Sequence, residues 1–172
     1  MKKEMTKEDF VYSRIGMALI SAQRVEFVTG KLLENLVDFN DAYSMLTTNE
    51  FLEKAAKSKS GKRTLGTIFT LLKLNPKLII EDELDSYLKK RNLLVHNFWN
   101  NILDSKSDGK DAVEFCYDFG KHSEKIESFF KGFIYLLSLR IANKIDNLNS
   151  EIKKWDKDFE YFMISLQKKN LE

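Results

Sequence analysis

Apolar residues recur at helical spacing along most of the chain. In the first third they stand at Phe10, Val11, Ile15, Ala18, Leu19, Ala22, Val25, Val28, Leu32, Leu33 and Leu36. Steps of three and four residues place most of these on one side of a helix. Thr6 is placed to cap that helix, and Asp9 stands where a carboxylate supports the cap. A long amphipathic helix running to about Asp38 follows. Gly30 lies inside it at a cost of about 1 kcal/mol relative to alanine, which points to close helix packing or a bend there.

The pattern weakens between Asn40 and Ser60, where Asn40-Asp41 and Thr48-Asn49-Glu50 are turn or cap signals. Leu65, Ile68, Phe69, Leu71 and Leu72 predict a short buried helix, and Asn75-Pro76 starts another. Glu81, Asp82, Glu83 and Asp85 lie early in that next helix, where the positive end of its dipole favours carboxylates. At roughly 100° per residue, Leu84, Leu88, Val95, Phe98 and Ile102 form one apolar stripe, flanked by Tyr87 and Leu94. A turn-rich loop spans Asp104 to Lys110. A shorter helix over Ala112–Phe119 is expected to end at Gly120, with Ser123 capping the next. That next helix, from Ile126 to Ile141, is apolar on more than one side, as a central helix or a dimer interface requires. A bend at Asn147–Ser150 precedes a last amphipathic helix marked by Ile152, Trp155, Phe159, Phe162, Met163 and Leu166. No strand-like alternation interrupts these segments. The expectation is one all-α domain over residues 1–172, a bundle of about five main helices.

Composition narrows the chemistry. A formal charge of +2, from 28 basic and 26 acidic residues, does not describe a generic nucleic-acid coat and leaves only local basic patches. One such patch is Lys54, Lys57, Lys59, Lys62 and Arg63, either a solvated loop or a phosphate-contacting rim. Gly61-Lys62-Arg63-Thr64 lacks the upstream glycine of a phosphate loop. Cys116 is the only cysteine, so no internal disulfide forms, and it reads as a small buried apolar residue. No apolar run approaches the roughly 20 residues of a membrane span, and the charged N-terminus has no signal-peptide core, so a cytoplasmic protein is expected. His96 and His122 are the only histidines, and no metal-ligand spacing or nucleotide-binding glycine motif occurs. Neither a metal nor a cofactor is expected. His122, beside Gly120, reads as a surface residue at a helix start.

What remains is the stretch from Lys89 to Trp99. Arg91 falls in the middle of the apolar stripe, where a leucine would be expected. A guanidinium there is costly unless an anion or a partner meets it. Asn92 and His96, four residues apart, share an adjacent face with Trp99.

Arg91-Asn92-Leu-Leu-Val-His96 resembles the R-x4–6-H motif of HEPN domains, including the polar residue that commonly follows the arginine. The long first helix, the helix before the motif and the long apolar helix after it also resemble the HEPN bundle, over about residues 10–148. The resemblance implies a metal-independent endoribonuclease acting as a toxin or phage-defence effector. It also implies a homodimer whose two motif helices bring two Arg–His pairs into one cleft that receives RNA. In such a site His96 acts as general base on a ribose 2′-OH or as acid toward the leaving oxygen. Arg91 stabilises charge on the phosphate, and Asn92 orients the imidazole or holds the phosphate. The product would carry a 2′,3′-cyclic phosphate. Lys62, Arg63, Lys89 and Lys90 are candidate RNA backbone contacts. One branch of this family, used as toxins in toxin–antitoxin pairs, carries a tyrosine two residues after the histidine, which a partner nucleotidyltransferase modifies. This chain has Phe98 there, so that mode of control lacks its acceptor, while an antitoxin acting by contact stays open.

The same residues also admit a non-catalytic reading, a HEPN-like module that binds a nucleotide or a protein partner. In that case Arg91 pairs with a carboxylate of the first helix, Glu26 or Glu34, and Trp99 only packs. Burial of Arg91 against either glutamate favours the module. Arg91 and His96 opening onto a shared cleft favour the enzyme.

Overall fold

A computed structural model describes residues 5–38, 81–104, 109–142 and 147–169. The expected turns at 40–60, the basic run with Lys62 and Arg63, the short helix at 65–72 and the start at Asn75-Pro76 lie outside the described residues. Within them the chain is all-helical.

Helix α1 spans Lys7–Asp38. Its start is a reciprocal cap: the Asp9 amide donates to Thr6 Oγ1 at 3.1 Å, and the Thr6 amide donates to Asp9 Oδ2 at 3.1 Å. Two orphan amides are thereby satisfied. One face of α1 is buried along Val11, Ala18, Ala22, Val25, Val28, Leu32 and Leu33. A Cβ at Gly30 would meet no atom within 4 Å among the described residues. The expected close packing at that glycine is therefore not found there.

Helix α2 spans Glu81–Asn92 and continues through two wider turns, Leu93–Asn97 and Trp99–Leu103, in which the backbone bonds close from i to i+5. Gly109, at φ +80°, turns the chain into α3, Lys110–Ala142. Helix α3 is one continuous element, not the two expected. Its buried row runs Ala112, Cys116, Phe119, Ser123, Ile126, Phe130, Ile134 and Leu137, straight past Gly120. Packing along that row outweighs the roughly 1 kcal/mol that a mid-helix glycine costs. Ser123 is no cap: its hydroxyl donates back to the Phe119 carbonyl at 2.8 Å inside the helix.

Asn149 caps the single-turn helix α4, Ser150–Lys153, its side chain accepting from the Glu151 amide at 2.8 Å. Tight bonds from Lys154 to Glu151 and from Trp155 to Ile152 end that turn, and α5 follows over Asp156–Lys169. The expected last helix is thus split in front of a buried Trp155.

Helix α3 is the centre of the molecule, packed against α1, α2 and α5. Aromatic rings fasten two of these contacts. Tyr87 stacks on Phe119 at 5.3 Å and Phe98 meets Phe115 at 5.5 Å, which holds α2 and its extension to α3. Phe162 lies 4.9 Å from Phe129 and 5.4 Å from Phe133, and Phe159 lies 4.9 Å from Tyr135, which holds α5. No described helix is long and apolar enough to cross a membrane.

Candidate functional site

The buried row of α2 and its extension is Leu84, Tyr87, Leu94 and Phe98, with Leu88 and Ile102 partly covered. Sequence spacing put Tyr87 and Leu94 at the flank and Val95 on the stripe, yet Val95 is exposed. The rings of α3 decide this, because Phe119 receives Tyr87 and Phe115 receives Phe98. Steps of three and four from Tyr87 to Leu94 leave Arg91 on the same row. Its position among core residues is as expected.

Arg91 is not lost in the core, because its guanidinium reaches the edge between α2 and α1. Nη2 donates to Glu26 Oε1 at 2.5 Å, with side-chain exposures of 23% for Arg91 and 39% for Glu26. Nη1 lies 3.4 Å from Asn92 Oδ1, a long and weak contact, and the buried Nε has no partner among the described residues. Of the two glutamates the sequence offered, Glu26 is the partner. Glu34 lies eight residues further along α1, about 12 Å at 1.5 Å per residue.

Asn92 and His96 are both exposed, and no hydrogen bond joins His96 to Arg91 or Asn92 among the described residues. The wide turn matters for their grouping. Five residues at about 100° each would leave Arg91 and His96 about 140° apart on an α-helix. An i to i+5 turn carries less rotation per residue and brings the two nearer one face. The Asp104 amide, bonded to the Trp99 carbonyl at 2.8 Å, closes the second wide turn. Leu-Leu-Val-His-Asn gives no sequence signal for this winding, and only the tertiary structure reveals it.

Lys89 is exposed on the same segment. Lys90 is half-buried and faces α3, in a cleft of about 460 Å³ shared with Asp82, Glu83, Asp118, Lys121, His122 and Lys125. His122 is not at a helix start; it sits inside α3, half-buried, edge-on to Tyr87 at 5.6 Å. Burial first, and then Lys90 and Lys125, lower its pKa, while Glu83 opposes the shift. Sequence spacing missed this contact because Gly120 suggested a helix break. Cys116 is buried, and desolvation raises its thiol to about 11, as fits a packing residue. No group of three or more His, Cys, Asp or Glu suited to a metal occurs among the described residues.

The arrangement sets the exposed Asn92 amide and His96 imidazole along the stretch that follows the partly covered Arg91 guanidinium. It also shows the Arg91–Glu26 pair that the non-catalytic reading expects. No family model, no curated protein and no solved structure matches the chain.

Proposed function

We propose that this chain is a metal-independent endoribonuclease of the HEPN type, a cytoplasmic toxin or phage-defence effector that works as a homodimer. One observation carries the reading. Arg91, a residue whose position belongs to the core, turns its guanidinium to an edge on Glu26, and the exposed Asn92 and His96 follow it on a locally widened helix. Such widened turns recur at functional sites. The Arg91–Glu26 pair is half-exposed, so an RNA phosphate competes with the carboxylate for the guanidinium without opening the core.

In the reaction, His96 takes the proton of a ribose 2′-OH while the 2′ oxygen bonds to phosphorus. The bond from phosphorus to the 5′ oxygen breaks, and that oxygen takes a proton from His96 of the second protomer. Arg91 and Asn92 hold the phosphate oxygens as negative charge builds. The ends are a 2′,3′-cyclic phosphate and a 5′-hydroxyl. Phe98 leaves no tyrosine acceptor at the family's modification position, so an inhibitor would act by contact.

The second reading, a non-catalytic module for a nucleotide or protein partner, is favoured by the Arg91–Glu26 pair itself. Incubation of tRNA and mRNA with the protein in EDTA separates the two. Arg91→Ala and His96→Ala are each expected to lower cleavage at least a hundredfold, the lower range for loss of a charge-stabilising donor at Arg91 or of a general acid–base group at His96, with unchanged circular dichroism. Cleavage and toxicity retained by both variants would overturn the assignment of catalysis to Arg91 and His96, and no cleavage by the wild type would leave the module.

A further inference from the structure

Trp99 is 61% exposed on the second wide turn, three residues beyond His96. Three other exposed rings carry a cation, whereas Tyr12 and Tyr161 carry none among the described residues. Arg14 lies over Phe10 at 4.6 Å, Lys31 over Phe27 at 4.7 Å and Lys121 over Tyr117 at 4.3 Å. Trp99 has no ring or cation over either face among the described residues. Its surroundings also differ from an ordinary helix surface. From residue 86 to residue 103 the chain carries Lys89, Lys90, Arg91 and His96 but no carboxylate. Asn92, Asn97, Asn100 and Asn101 are all exposed along the same stretch. An apolar plane amid amides and cations, free of acidic side chains on its own segment, suits a nucleobase attached to a phosphate backbone.

We infer that Trp99 is the stacking platform for an unpaired base, so that the substrate class is single-stranded RNA and not a duplex. The choice of RNA rests on the ribonuclease reading, and the stack explains what that reading leaves open. In a duplex each base face is already covered by its neighbours, whereas an unpaired base can leave the strand and lie on the indole. With one base held on Trp99, a neighbouring phosphate is drawn toward Arg91, Asn92 and His96.

The chain has two tryptophans, and Trp155 is buried, so quenching of indole emission by a bound base reports on Trp99. The His96→Ala protein, which the ribonuclease reading makes unable to cut, is titrated with labelled oligoadenylate of roughly 12 nucleotides, within the site size of a single-strand binder. The same strand paired with oligouridylate serves as control. Saturable quenching is expected with the single strand and at least tenfold weaker binding with the duplex. By anisotropy of the label, adding Trp99→Ala is expected to weaken single-strand binding about tenfold or more, the loss of one base stack. Trp99→Phe, which keeps a ring, should stay within about threefold. Equal binding by Trp99→Ala, or equal quenching by the duplex, would overturn the inference. So would dissociation of a dimer by Trp99→Ala in sedimentation, since Trp99 would then belong to the seam between copies. Cleavage by the wild type without quenching refutes the stack alone. Quenching without cleavage refutes the ribonuclease alone.

Discussion

Among the described residues Glu127 and Glu26 hold arginines, and their different access to water sets what each contributes. Glu127 of α3 has a side chain only 7% exposed, and it binds Arg24 at 2.8 Å and Lys131 at 2.7 Å. Arg24 itself is 54% exposed. Removing both cations would leave a buried charge unpaired, so Arg24→Ala with Lys131→Ala is expected to cost about 3 kcal/mol or more. Glu127→Gln should cost less, because Arg24 can turn to water and Lys131 can follow. Urea titrations of the two proteins compare these values, and an equal loss would contradict the account. Glu26 differs because it stays in contact with water, which keeps Arg91 accessible to an external anion. Arg91, Asn92 and His96 were legible from spacing and residue type. The choice of Glu26 over Glu34 was not, because it depends on how α2 lies along α1.

At the scale of elements, glycines show where helices approach and where they do not. A Cβ at Gly132 of α3 would fall on the Asp158 carbonyl and on Phe162 of α5. Gly132→Ala is therefore expected to destabilise by about 1–3 kcal/mol, as overpacking does. A Cβ at Gly120 meets nothing within 4 Å among the described residues, so Gly120→Ala should stabilise by about 0.5–1 kcal/mol through helix propensity alone. Thermal melts of the two variants should move in opposite directions. Both glycines lie inside α3, and only the packing of α5 on α3 separates them. The expected break at Gly120 fails for the same reason: local propensity is worth about 1 kcal/mol there, and a continuous buried row on α3 is worth more.

For the molecule as a whole, His122 links acidity to the attachment of α2 on α3. Burial and Lys90 lower its pKa in the folded protein, so the unfolded chain binds the proton more readily. Stability is then held above the ordinary imidazole value near 6.5 and lost as pH falls below it, until the folded-state pKa is passed. His122→Gln should flatten that decline. Chemical denaturation between pH 7.5 and about 5, the range in which histidine changes charge, measures the difference. An unchanged slope in the variant would place the acid sensitivity elsewhere. The charged groups that shift this imidazole are Lys90 and Glu83 from α2 and Lys125 from α3, which is why no single-helix pattern anticipates the shift.

By itself the sequence determined the helical class, the capped start and buried row of α1, and the position of Arg91 among core residues. These follow from periodicity and capping, which act over a few residues and need no knowledge of neighbours. Tertiary structure decided the rest. It joined α3 across Gly120, set the buried row of α2 by where the Phe115 and Phe119 rings lie, and gave Arg91 to Glu26. It also widened the helix around His96 and left Trp99 facing solvent. Each of these depends on which surface of a distant helix comes to face the residue, and that is fixed only when all the helices pack together.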